Sequence, residues 1–118
     1  HLSSFNQELC QNNGLKIVTC PKEDGPNETL KDIVDDTIIW FAETMVGHRD
    51  IKWVCLVSGD GDYVPMLKRI KAEGIKIALV VPTVAAYSRL DNMAQLVDFH
   101  PKTGKKMSLS LDKVFEGV

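Results

Sequence analysis

The stretch Trp53-Val54-Cys55-Leu56-Val57-Ser58-Gly59-Asp60-Gly61-Asp62-Tyr63-Val64-Pro65-Met66-Leu67 decides the fold. Its first five residues are an unbroken apolar run, as a central parallel strand covered on both faces requires. The run stops at a turn of two glycines and two aspartates. Pro65 then suits a first helical turn, and Met66, Leu67 and Ile70 mark an inward helix face. Lys68, Arg69 and Lys71 lie outward or toward the C-terminal end, and Gly74 stands where a left-handed residue closes a helix. Ile75 to Val81 follows as a second buried strand. Strand, helix and strand in so short a span make a right-handed crossover between parallel strands.

Toward the N-terminus, Leu30, Ile33, Val34, Thr37, Ile38, Phe41, Ala42 and Met45 recur at helical spacing and predict an amphipathic helix ended by Gly47. Its apolar stripe centres near Phe41. Asp32 falls opposite the stripe, and Asp35 and Asp36 fall on its two flanks, where they border a groove. Before it, Ser4 to Gln11 reads as a helix stopped by Asn12-Asn13-Gly14, Leu15 to Cys20 as a short strand, and Pro21 to Asn27 as a loop leading to an N-cap. Toward the C-terminus, Pro82 breaks the second strand, and Tyr87 to Leu96 gives a less regular helix. Asp98-Phe99-His100-Pro101 closes the unit, Lys102, Lys105 and Lys106 form a basic loop, and Met107 to Leu111 alternates like an edge strand. Trp40 and Trp53 read as core. Strands alternating with helices define an α/β fold, here a three-layer α/β/α sandwich with a parallel sheet.

The 118 residues, 44% hydrophobic and 25% charged, fit one domain and exclude disordered, collagen-like and coiled-coil chains. Apolar stretches such as Ile77 to Val81, which no other run exceeds, are far short of the ~20 residues that span a bilayer, so no membrane partner is expected. Three cysteines, Cys10, Cys20 and Cys55, have neither zinc spacing nor an even count, which argues against a disulfide framework and makes a reducing cytoplasm the expectation. A net charge of −2 provides no global basic field, so any nucleic-acid contact rests on a local patch.

In open parallel sheets ligands sit beyond the carboxyl ends of strands, where Asp60 and Asp62 lie on a turn whose glycines permit close approach. The plainer alternative is that Asp62 caps the next helix and Asp60 decorates a polar turn. Gly59-x-Gly61 is half of a dinucleotide fingerprint, but Val64 replaces the third glycine and two aspartates would face the pyrophosphate. Gly104-Lys105 fails as a P-loop, because Phe99 stands where the first glycine is needed. Carboxylates without His or Cys suit a hard ion, Mg²⁺ or Mn²⁺, which binds substrate phosphate in turn. Such ions promote phosphodiester hydrolysis.

The segment Val57 to Leu67, with Ile70, Gly74 and Lys76-Ile77, closely resembles the NYN domain of the PIN-like nuclease superfamily. Lys31 with Val34-Asp35-Asp36-x-Ile38 looks like that family's lysine-then-aspartate helix, and Ser88 with Asp98-Phe99 is similar to its closing segment. The resemblance runs from about Leu15 to His100. It implies a ribonuclease that cleaves single-stranded or structured RNA, with Asp35, Asp60 and Asp62 catalytic and with Asp35, Asp36, Asp60 and Asp62 holding Mg²⁺ or Mn²⁺. Lysine and aspartate stand one residue further apart than usual, so Asp35 is the first choice and Asp36 assists. Ser58, Lys31, Lys68 and Arg89 are the expected substrate contacts.

The family's first strand, with its aspartate, has no counterpart, so residues 1–118 are expected to form a single domain that is incomplete at its N-terminus. Its core is expected at about 15–100, followed by a basic extension, 101–118. Exposed sheet edges then predict a homo-oligomer or supply of the strand from elsewhere. A non-catalytic RNA- or protein-binding module of the same fold is the alternative. Gly59-Asp60-Gly61 with Pro65-Met66-Leu67 is also similar to the last acidic motif of haloacid-dehalogenase phosphatases, but the second aspartate comes two residues too early and no nucleophile motif precedes it. Tyr63 and Tyr87 are open to either base stacking or core packing.

Overall fold

The computed structural model describes residues 3–18, 20, 30–48, 50–85 and 91–116. The chain divides into two compact units, His1–Thr37 and Ile38–Val118. The boundary falls inside one unbroken helix.

In the first unit, α1 (Ser4–Asn12) begins where the Ser3 hydroxyl accepts from the Asn6 amide at 3.2 Å. It ends through Gly14, whose φ of 76° is a left-handed conformation that costs glycine little. The Leu15 amide donates back to the Cys10 carbonyl at 2.9 Å. The strand expected over Leu15 to Cys20 is absent at residues 15–18 and 20: the Leu15 amide closes the helix, and β-branched residues make no strand without a ladder partner. The loop and N-cap expected over Pro21 to Asn27 lie outside the described residues.

The helix α2 (Leu30–His48) runs through Gly47, which therefore does not end it. In the second unit follow β1 (Trp53–Val57), a single 3-10 turn at Gly61–Tyr63, α3 (Val64–Ala72), β2 (Lys76–Val81), α4 (Asp91–Leu96), β3 (Ser108–Ser110) and α5 (Leu111–Glu116). The three strands are parallel in the order β1-β2-β3, with Cys55 opposite Ala78 and Val80 opposite Leu109. The fold is thus α/β. Among the described strands β2, not β1, is central. The apolar run of β1 ends the row, and Val57 is 68% exposed.

The core gathers Leu56, Ile77, Leu79 and Val81, which share one sheet face, with Met66, Leu67 and Ile70 of α3, Met93 of α4, and Tyr63 and Val97. Ile39, Ala42 and Val46 of α2 pack against it. This row is rotated from the stripe centred on Phe41, and Trp40, expected in the core, is 62% exposed with its ring edge-on to Phe41. Apolar residues surround this half of the helix, so periodicity alone could not choose the buried row. Trp53 is half-buried, with the Lys76 ammonium 5.8 Å from its ring centre.

The amino end of β2 is fastened by Asp98. Its Oδ2 accepts from the Ile77 amide at 2.9 Å, its Oδ1 takes the Lys71 ammonium at 3.3 Å, and its own amide donates to the Ile77 carbonyl at 2.9 Å. Lys71 also donates to the Leu96 carbonyl at 2.9 Å, closing the end of α4. At the carboxyl end, Asp112 accepts from the Val84 amide at 3.0 Å and from the Ser110 hydroxyl, and its amide donates to the Pro82 carbonyl at 3.2 Å. The edge strand stops at Ser110 rather than Leu111, because this clamp starts a helix there. No helix among the described residues is long and apolar enough to cross a membrane.

Candidate metal centre

The site begins with a ladder bond. The Ser58 amide, one residue past β1, donates to the Val80 carbonyl at 2.9 Å, so the turn leaves the sheet from a fixed point. The Ser58 hydroxyl accepts from the Asp60 amide at 3.1 Å, and Asp60 Oδ1 accepts from the Asp62 amide at 2.9 Å. Asp60, not Asp62, is thus the cap, and it caps the 3-10 turn rather than α3. α3 itself has no side-chain cap; Pro65, which needs no hydrogen-bond acceptor, stands in its first turn. Tyr63 is 3% exposed, which settles it as core rather than a stacking platform.

On α2, Asp35 lies four residues before Ile39, seven before Ala42 and eleven before Val46, so it continues the row that these residues form. Asp35, Asp60 and Asp62 each offer one carboxylate oxygen, and these oxygens lie within 4.8 Å of one another. Asp35 and Asp60 are half-buried, and Asp62 is exposed. Asp36 is exposed and is not one of the three. Octahedral coordination at about 2.0–2.1 Å sets ligand oxygens roughly 3–4 Å apart. Three carboxylates at this spacing, without sulfur or imidazole, therefore fit a hard divalent cation after small side-chain adjustments.

Among the expected substrate contacts, Ser58 braces the turn and Lys68 is exposed on α3. Arg89, like Ser88 and Tyr87, lies outside the described residues, as does the side chain of Lys31. Asp98, part of the resemblance, sits at the other end of the sheet as a fastener. Sequence reasoning passed over Asp112. Its signal is Ser110-x-Asp112 after an alternating strand, a pairing suited to a helix start. The Ser110 hydroxyl, then the Val84 amide, hold the Asp112 carboxyl below its ordinary range.

The α/β fold carries its acid cluster beyond the carboxyl end of a parallel strand, an arrangement compatible with a PIN-like, nuclease-like fold. The chain belongs to the NYN domain family, whose model matches residues 1–100. The match thus takes in α1, upstream of the segment that carried the resemblance. No curated protein and no solved structure matches the chain.

Proposed function

We propose that this chain is a ribonuclease dependent on Mg²⁺ or Mn²⁺ that hydrolyses RNA phosphodiester bonds. The observation that carries this reading is the convergence of Asp35, Asp60 and Asp62 within 4.8 Å. NYN domains are generally nucleases, and membership supports the same reaction and the same substrate. When bound, a divalent ion supplies Lewis-acid polarisation of the scissile phosphate and acidifies a nearby water.

The chain's own residues hold and aim. Asp60 and Asp62 present their carboxylates from a turn braced by Ser58, and Asp35 presents its own from a helix. The exposure of Asp62 leaves one side of the cluster open for phosphate and water to enter. Lys31, Lys68 and Arg89 are assigned to the phosphate oxygens, with Asp36 assisting at the metal. Three free thiols suit a reducing cytoplasm.

The test is cleavage of a labelled single-stranded RNA with Mn²⁺, Mg²⁺ or EDTA, by the wild type and by Asp60→Asn. Cleavage that needs both metal and Asp60 supports the reading. RNA bound but uncleaved under every condition makes the chain a binding module instead.

A further inference from the structure

A second surface lies at the opposite end of the sheet. There the Lys76 amide donates to the Lys52 carbonyl at 3.0 Å, and Phe99 bridges Lys106 across an antiparallel pair. The Asp98 to Ile77 bonds join these two pairs into one edge, and the loop that follows adds Lys102 and Lys105. This loop is shaped by His100, whose Nδ1 accepts from the Lys102 and Thr103 amides at 3.1 and 3.2 Å. Lys52, Lys76, Lys102, Lys105 and Lys106 are all exposed, and among the described residues the exposed acids nearest to them in sequence are Asp50 and Glu73. In a chain of net charge −2, that is a local concentration of positive charge.

Two rings accompany it. Phe99 is 57% exposed, and half-buried Trp53 lies under the Lys76 ammonium. Lysines alone would suit any anionic surface, whereas lysines interleaved with flat apolar rings suit a strand with phosphates to neutralise and bases to stack. We propose that this amino edge, centred on Lys76, Phe99, Lys102, Lys105 and Lys106, is a docking surface for single-stranded RNA, separate from the acid cluster. The inference rests on the ribonuclease reading for its choice of ligand. Strands of five or six residues put about 17–20 Å between the two ends, so one RNA strand of several nucleotides reaches both.

The experiment is fluorescence anisotropy of a labelled twelve-nucleotide single-stranded RNA in EDTA, where metal-dependent cleavage is silent. Wild type is compared with Lys102→Gln/Lys105→Gln, with Phe99→Ala, and with Lys113→Glu, a lysine on α5 that pairs with Glu116. The double variant is expected to bind ~10-fold more weakly and to flatten the log–log salt slope by about 1.4, at roughly 0.7 per lost phosphate contact. Phe99→Ala is expected to weaken binding ~5-fold or more. Lys113→Glu should match the wild type, and all melting temperatures should agree.

The inference is overturned if the double variant binds within twofold of wild type with the same slope, if wild type does not bind the RNA, or if anionic vesicles compete with it at equal charge. Lysine-dependent binding by a chain that cleaves nothing would sink the nuclease reading and leave this surface standing.

Discussion

The main-chain N–H of Asp62 donates to Asp60 Oδ1 at 2.9 Å, so one acid of the candidate centre is oriented by the backbone of the next. That bond separates the observed capping role of Asp60 from the metal-ligand role proposed for it. As a cap it needs only an acceptor oxygen; as a metal ligand it needs a charge.

Asp60→Asn keeps the acceptor and removes the charge. We expect an unchanged melting temperature and at least about a 100-fold loss of metal-dependent cleavage, since even outer-shell changes at metal sites cost up to that. Asp60→Ala should lose the same activity and, in addition, ~1 kcal/mol of stability with the cap. Equal stability of the two variants would remove the capping role.

Asp35 and Asp36 are adjacent on α2, but only Asp35 continues the row through Ile39, Ala42 and Val46. Asp35→Asn is expected to weaken Mn²⁺ binding by at least about 10-fold in calorimetry, and Asp36→Asn by less than about threefold. The reverse order would show that the helix presents its other flank.

Asp98 should matter for folding and not for chemistry. Asp98→Ala leaves the Ile77 amide without its acceptor and the Lys71 ammonium with only the Leu96 carbonyl, a loss of about 2–3 kcal/mol in urea unfolding. Metal affinity of the folded variant should be that of wild type, because the acid cluster lies at the far end of the strand. A tenfold change in metal affinity would contradict this division.

Asp112 predicts a pH dependence. Its carboxyl titrates below the ordinary aspartate value of about 3.9 because the Ser110 hydroxyl and the Val84 amide favour the charged form. A depressed folded value means the unfolded chain takes up the proton first. The stabilisation is therefore complete above the ordinary value and is lost as pH falls through the folded one. Urea unfolding of wild type and Asp112→Asn should differ most above pH 5 and converge toward pH 3. A constant gap across that range would deny the carboxylate its part.

β1, α3 and β2 were legible because every signal for them is local: an unbroken apolar run, a proline in a first turn, and Gly74, whose φ of 82° matches its place after the helix. Asp60 and Asp62 stood out for the same reason. What escaped depends on distant partners. The bonds of Asp98 reach residues 21 and 27 positions away, and the bond from Asp112 to Val84 spans 28. No window of sequence shows such pairs. The buried row of α2 was misread because Trp40, Phe41 and Met45 are as apolar as the residues that pack. Position relative to the sheet decided the row, and hydropathy did not.

The bond from the Ser58 amide to the Val80 carbonyl has an entropic consequence. Fixing one backbone residue costs roughly 1–2 kcal/mol, a cost that a loose loop bears when a ligand arrives. Here the sheet fixes Ser58, the Ser58 hydroxyl holds the Asp60 amide, and the Asp60 carboxylate holds the Asp62 amide, all during folding. The acids of the turn meet an incoming ion already ordered, so more of the binding free energy remains available as affinity.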